Sequence, residues 1–189
     1  MKQMLSLLLF GVCLQACNEA TKKKYNLPEL VEPISFFPVT SYIKGQIADM
    51  GTYGLAPLKF NLSNGKKDSV WLKAEQFDAV FYPFLHPEID STNLIDLYEE
   101  SKFADQTIDA FTFTYTAKNE SDTSLELKRW DVYINTKTNN VQRIFIVKKS
   151  GTKEMQLTWQ HDEWCSIRTI GKDANGLAVL EKEELIKWK

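Results

Sequence analysis

Residues 111–116 read FTFTYT, and this stretch decides the fold. Aromatic side chains alternate with threonines, which is the period of a β-strand whose two faces meet different surroundings. Aromatic and β-branched residues are also the types that strands favour. The sequence therefore predicts a half-buried strand here, at the start of a β-structured region that begins near residue 107.

Further alternating segments follow this strand to the end of the chain. The predicted strands are 125–135, 141–148, 155–160, 164–170 and 177–188, with turns at 136–140, 161–162 and 173–176, although the last strand also fits a helix. Short turns between consecutive strands predict an antiparallel meander. The apolar parity changes between Leu127 and Trp130, which predicts a β-bulge or a strand that crosses between cores.

The segment before residue 107 has mostly helical spacing. The first predicted helix is capped by Ser35, ends at Gly51 and places on one side Tyr42, Ile43, Gln46, Ile47 and Met50. The second follows the Asn64-Gly65 turn, is capped by Asp68 or Ser69, is kinked or ended by Pro83 and has the apolar positions Val70, Ala74, Phe77, Phe81 and Phe84. The third is capped by Ser91 or Thr92 and has on one side Leu94, Leu97 and Tyr98. Residues 55–62 predict a short strand, which Pro57 places at a sheet edge. The fold class expected is α+β, with N-terminal helices packed on one face of a curved, mostly antiparallel meander sheet.

The N-terminus, MKQMLSLLLFGVCLQAC, has the layout of a secretory signal. Lys2 precedes an apolar run over 4–14, which is too short to span a bilayer as a helix of roughly 20 residues. The end of this segment resembles the lipobox of bacterial lipoproteins, at Leu14, Gln15, Ala16 and Cys17. The resemblance implies that Cys17 receives a diacylglyceryl thioether, is exposed by cleavage and is then N-acylated, so that two or three long chains anchor the protein.

Three segments follow from this assignment. Residues 1–16 are the signal peptide, 17–34 are a lipidated cysteine with a flexible tether, and 35–189 form a single α+β domain. Asn18 stands after the cysteine instead of the Asp that retains some lipoproteins in an inner membrane. We therefore expect a lipid-anchored envelope protein of the outer membrane, on either face.

Charge and cysteine content exclude several classes of protein. Loss of Lys2 with the signal leaves 22 of the 23 basic residues against 25 acidic ones, a formal charge of −3, which offers no basic field for nucleic acid. Cys13 lies in the signal and Cys17 carries lipid, so that Cys165 alone remains and no internal disulfide can form. The apolar neighbours of Cys165 predict a place in a strand core.

Catalytic and cofactor signatures are missing from the sequence. His86 and His161 are too few for a metal site, and their positions at a helix end and in a tight turn favour structural roles. No nucleophile elbow or phosphate-binding loop occurs, so neither a catalytic residue nor a cofactor is assigned. Carboxylates are common around the third predicted helix, as at Asp90, Asp96, Glu99 and Glu100. The preference of helix N-termini for negative charge and a solvated helix face explain them better than an acid-base pair does.

Aromatic side chains are the remaining candidates for a ligand surface. Trp71, Trp130, Trp159 and Trp164 could form a stacking platform for sugars or line an apolar pocket, although their helical and strand spacing favours a place in the core. Asp68-Ser69-Val70 and Asp90-Ser91-Thr92 resemble the Asp-Ser/Thr-apolar O-glycosylation sites of some exported bacterial proteins.

These features favour a non-catalytic binding or accessory domain on a membrane anchor. Its partner would be an envelope protein, a glycan or an apolar ligand. An envelope hydrolase that uses two of the carboxylates, and an inhibitor or assembly factor that binds a protein, are the alternative hypotheses.

Overall fold

The structure is a computed structural model of the chain, and it describes residues 36–63, 65–89, 94, 96–105 and 107–189. Contacts divide the chain into two units, Met1–Pro33 and Ile34–Lys189, and the described residues all belong to the second. The predicted signal and tether, the cap at Ser35 and the motif Asp90-Ser91-Thr92 lie outside the described residues.

The described chain contains two α-helices, a 3₁₀ turn and nine strands. Their bounds are α1 (Val39–Thr52), β1 (Leu58–Ser63), β2 (Lys66–Trp71), the 3₁₀ turn (Ala74–Gln76), α2 (Phe77–Leu85), β3 (Tyr98–Asp105), β4 (Ala110–Ala117), β5 (Leu127–Asn135), β6 (Val141–Ser150), β7 (Lys153–Gln160), β8 (Trp164–Lys172) and β9 (Ala178–Lys187).

All nine strands belong to one sheet in the order β2-β1-β9-β8-β7-β6-β5-β4-β3, and every neighbouring pair is antiparallel. The seven strands from β3 to β9 form a continuous meander. The hairpin β1–β2 is added beside the last strand, so that β2 and β3 are the two edges of an open sheet. The protein is therefore a sheet-rich α+β fold.

The predicted meander is confirmed, including its turns. Asn139, Asp162 and Gly176 have positive φ angles of 56°, 55° and 80° at the turns that follow β5, β7 and β8. Asn, Asp and Gly are the residues that adopt this conformation most readily. The last predicted strand is β9, so its alternative interpretation as a helix is wrong.

The predicted change of parity is also confirmed, as a β-bulge. The register of β5 against β6 shifts between Leu127 and Arg129 and shifts again between Tyr133 and Ile134. A bulge adds one residue on one strand and so turns the following side chains to the other face. Leu127, Trp130 and Val132 are consequently all buried, although Leu127 differs from the other two in parity.

The second predicted helix is wrong in its first half, which forms a strand. Residues 66–71, which include the proposed caps Asp68 and Ser69, form strand β2 and pair with β1 as a hairpin, with Gly65 in a turn just before them. The apolar positions Phe77, Phe81 and Phe84 do form the buried side of a helix, but it begins at Phe77, after the 3₁₀ turn. A hairpin therefore separates the two helices, and Pro83 lies inside α2.

The third predicted helix is replaced by a strand at its C-terminal end. Tyr98 begins β3 and pairs with Ala117. Ser91 and Thr92, the proposed caps, lie outside the described residues.

Strand β1 is interior, contrary to the expectation from Pro57. It lies between β2 and β9, and Pro57 precedes the strand. The Pro57 carbonyl accepts a hydrogen bond of 2.8 Å from the N–H of Leu72, so the proline still contributes to the ladder by its oxygen. Its missing N–H falls just outside the paired residues.

The first predicted helix is confirmed as α1, which ends one residue after Gly51. Ile43 and Met50 of the predicted stripe are buried. Tyr42 and Ile47 pack partly buried against the core.

One face of the sheet meets the helices through aromatic rings, and we call it the core face. The rings of Phe81 and Phe84 in α2 lie 5.5 and 5.2 Å from that of Trp159, centroid to centroid. Phe36, just before α1, contacts Trp130 at 5.8 Å. Burial of large rings on this scale is the main source of stability in a domain without disulfides.

Candidate binding surface on the open face of the sheet

The opposite face of the sheet, which we call the open face, carries two of the four predicted aromatic candidates. Trp71 and Trp164 lie on it, and Trp71 is 65% exposed. Trp130 and Trp159 belong to the core face and are completely buried. Among the described residues, the ring contacts of the helices reach the core face and not the open one.

Strand register aligns Trp71 and Trp164 in one line across the sheet. Starting from β2, directly opposite residues are Trp71, Leu58, Lys187, Trp164, Gln160, Arg143, Tyr133, Thr112 and Phe103. Opposite residues of neighbouring strands point to the same face, so these nine side chains form a single line, here called the aromatic row.

The rings in the aromatic row are separated by regular intervals. Neighbouring strands lie about 4.8 Å apart, so Trp71 and Trp164, three strands apart, are roughly 14 Å apart. The same interval separates Trp164 from Tyr133, and Phe103 lies two strands further on. Phe103, like Trp71, is 65% exposed, whereas Trp164 and Tyr133 are half-buried.

Polar side chains occupy the intervals between these rings. The Nε group of Arg143 donates to Gln160 Oε1 at 3.1 Å, and its guanidinium carbon lies 5.9 Å from the centroid of the Tyr133 ring. Lys187 is exposed between Leu58 and Trp164. The row thus carries two cations and no carboxylate.

A second line of side chains on the open face, next to the aromatic row, contains buried polar contacts between strands. Asp131 is 1% exposed and accepts hydrogen bonds from Arg129 Nε at 3.0 Å and from Thr114 Oγ1 at 2.6 Å. A buried carboxylate is tolerated when its oxygens are paired in this way. Phe60 and Leu185 continue the same line toward β2 and add apolar surface beside Trp71.

The polar groups near His161 join α1 to the turn between β7 and β8. The Tyr42 hydroxyl lies 2.6 Å from His161 Nδ1, and His161 Nε2 lies 3.3 Å from an Asp162 oxygen. Burial, assisted by the negative charge of Asp162, raises the pKa of Tyr42 to about 12. A nucleophile needs the opposite shift, so we interpret these groups as a structural clasp between α1 and the turn. The Tyr42 hydroxyl and the His161 ring share a hydrogen bond, and Gln46 accepts the Asp162 N–H at 3.2 Å.

The thiol of Cys165 is fully buried in β8, as the sequence predicts. Burial raises its pKa well above the usual value, and the nearby Glu184 carboxylate adds to the effect. A thiol of this kind is a poor nucleophile.

Lys148 is a buried cation that caps the C-terminal end of α2. Its Nζ donates to the backbone carbonyl oxygens of Pro83 and His86. Loss of solvation lowers the pKa of this lysine to about 8, partly offset by the Glu126 carboxylate. The end of a helix exposes carbonyls and negative potential, which explains a cation at this place in the core.

Two depressions in the surface are lined mainly by charged and polar groups. One, of about 200 Å³, includes Glu126, Lys148 and Lys153, and the other, of about 410 Å³, includes Lys128 and Arg129. Neither resembles a closed apolar pocket for a lipid or a cofactor.

Of the carboxylates considered for an acid-base pair, Glu99 and Glu100 do not converge on one site. Glu99 and Glu100 are adjacent in β3 and therefore point to opposite faces. Glu100 lies 3.0 Å from Lys102, and Asp90 lies outside the described residues. Within the part of the chain that the structure describes, no three metal-ligating side chains cluster, and no helix is long and apolar enough to cross a membrane.

Comparison with known proteins finds no family model, curated protein or solved structure that matches this chain. The surface must therefore be interpreted from its own residues. Sequence reasoning found Trp71 and Trp164 but missed Tyr133, Arg143 and Lys187, because only the register of the strands brings them into one row.

Proposed function

We propose that the mature protein is a lipid-anchored envelope protein whose domain binds a partner, without catalysis, through the open face of its sheet. The observation that carries this proposal is the aromatic row, with Trp71 and Phe103 largely exposed on the two edge strands of the sheet. Exposed rings on a rigid scaffold are typical of recognition surfaces.

The finer architecture supports this use of the sheet. We infer that both helices pack on one face of a curved sheet, since Phe81 contacts Trp159 and Phe36 contacts Trp130 on the core face. Twist between neighbouring strands, about 20–25° each, accumulates into curvature over nine strands. The core face is then filled by rings, and the open face is left for a partner.

The anchor supplies the location. The lipobox at Leu14, Gln15, Ala16 and Cys17 predicts lipid on Cys17, and Asn18 favours the outer membrane. The tether 17–34 has 18 residues and reaches at most about 60 Å when extended. The domain can therefore reach partners close to the membrane that carries it.

The alternative of an envelope hydrolase has less support. Its two carboxylates would have to converge in a cleft, and two of the described candidates, Glu99 and Glu100, point to opposite faces of β3. An inhibitor or assembly factor that binds a protein has one observation in its favour, the apolar surface of Phe60 and Leu185 beside Trp71.

Two measurements on the full chain expressed in a bacterium test the proposal. Intact mass should equal residues 17–189 plus acyl chains, and the acyl mass should be lost in Cys17→Ser. A photo-crosslinking amino acid at Trp71 should capture envelope material, whereas the same group at Tyr82, which is exposed on α2, should not. An unmodified protein, or equal capture from both positions, would contradict the proposal.

A further inference from the structure

We propose that the ligand of the aromatic row is an extended glycan chain that carries carboxylates and lies across the strands from Trp71 to Tyr133. This inference rests on the proposed function and names the class of partner. The residues that carry it are Trp71, Lys187, Trp164, Gln160, Arg143 and Tyr133.

The rings provide stacking positions for sugars. The flat face of a pyranose ring presents C–H groups with partial positive charge, which are attracted to the negative face of an aromatic ring. Trp71 is the most accessible of the three rings, and Trp164 and Tyr133 are half-exposed at successive intervals of about 14 Å. A chain that crosses the strands therefore meets a ring, a polar interval and another ring.

The interruption of the rings by polar groups favours a glycan over a protein partner. The centre of a protein interface is depleted in charged residues and its apolar groups are contiguous. In the row, Lys187 lies before Trp164, and Gln160 and Arg143 lie between Trp164 and Tyr133. Hydroxyl-rich ligands match such a surface, since each ring stacks while each polar group finds a hydrogen-bonding partner.

Charge determines which kind of glycan fits. Within the described residues, neither Lys187 nor Arg143 forms an ion pair with a carboxylate, although the domain as a whole is acidic. Arg143 is held in place by Gln160 and by the Tyr133 ring. A guanidinium fixed in this way binds carboxylates well, because little side-chain freedom is lost on binding.

The twist of the sheet limits the length of the site. Each strand is rotated by about 20–25° from its neighbour, so that a chain lying over all nine strands would have to turn by roughly half a circle. The seven strands from β2 to β5 include both cations and three of the four rings. Phe103 lies beyond this stretch and is left out of the site.

The test is titration of the mature chain in detergent micelles with two defined probes, an oligogalacturonate hexamer, which carries carboxylates, and chitohexaose, which is neutral. Calorimetry and tryptophan fluorescence report binding. The acidic hexamer should bind with an affinity that falls as salt rises, and chitohexaose should bind more weakly.

Variants assign the contacts. Trp71→Ala should weaken binding of both probes about tenfold or more, as expected for loss of one stacking contact. Arg143→Gln combined with Lys187→Gln should weaken only the acidic hexamer and remove its salt dependence. Tyr53→Ala and Lys172→Gln are matched controls, since both residues are exposed and lie outside the row, and they should bind as the wild type does.

Separate outcomes overturn the inference and the proposed function. If neither hexamer binds while the crosslinker at Trp71 captures a protein, the glycan inference is wrong and the binding face stands. If neither hexamer binds and the crosslinker at Trp71 also captures nothing, the glycan inference and the proposed function are both wrong. If Trp71→Ala folds normally by near-ultraviolet circular dichroism yet binds both hexamers unchanged, the row is not the site.

Discussion

Replacement of Lys148 by Met tests how a buried cation is tolerated in this core. Lys148 is 3% exposed, and its Nζ donates to the carbonyl oxygens of Pro83 and His86 at the end of α2. Met has a similar length and fills the same space, but it has no donor. The two carbonyls then lose their partners, each at about 1–3 kcal/mol, while the penalty of burying an ammonium disappears.

The pH dependence separates these two effects. The pKa of Lys148 is lowered from 10.5 to about 8 in the folded protein, so that between these values the unfolded chain binds more protons than the folded one. The free energy of unfolding therefore rises with pH in this window, by about 1.4 kcal/mol per unit at most. Above pH 8 the neutral amine still has two N–H groups for the two carbonyls.

We expect the free energy of unfolding of the wild type to be about 1–3 kcal/mol higher than that of Lys148→Met at pH 7. This difference should be about 2–3 kcal/mol larger at pH 10 than at pH 7. Urea unfolding followed by tryptophan fluorescence at pH 7, 8, 9 and 10 measures it. The raised pKa of Tyr42 and Cys165 makes both proteins less stable in alkali, and this contribution cancels in the difference. A difference that stays constant from pH 8 to 10 would refute the reasoning.

Three further predictions concern the core and the clasp. Trp159→Ala should lower the free energy of unfolding by about 3–5 kcal/mol, because a fully buried ring is lost, and a urea-measured change under about 1 kcal/mol would contradict this. Tyr42→Phe should cost about 0.5–1.5 kcal/mol by removing the hydrogen bond to His161, and an unchanged urea midpoint would count against the clasp. Cys165 should react with a thiol reagent only as fast as the protein unfolds, so rapid labelling of the native protein would show that the thiol is accessible.

The elements that the sequence predicts best are those with local signals. The meander from β4 to β9 follows from alternation and from turn residues such as Asn139 and Asp162, and each strand was placed within a few residues. The buried side of α2 follows from the spacing of Phe77, Phe81 and Phe84. These signals depend on neighbours in the chain, which a sequence displays directly.

The hairpin β1–β2 could not be predicted in its true place, because its stability comes from distant residues. Val70 and Phe77 fit a helical period, yet the pairing of β1 with β9, more than 100 residues later, makes residues 66–71 a strand. The same cause explains Phe111. It is 50% exposed although it shares the core face with Tyr115, since burial depends on where the helices end as well as on alternation.

The aromatic row depends on two bulges that no composition measure reveals. Lys128 and Gln142 are the extra residues of β5 and β6, on either side of the stretch in which Tyr133 faces Arg143. Beyond each bulge, the alternation of core-facing and open-face side chains is reversed. Val141 therefore points into the core, although Arg143, two residues later, points away from it. Deletion of Gln142 would have to turn either Val141 or Arg143 to the wrong face. The bulges thus allow β5 and β6 to fill the core at both ends and still contribute to the open face between them, which links the packing of the domain to the surface on which the proposed ligand lies.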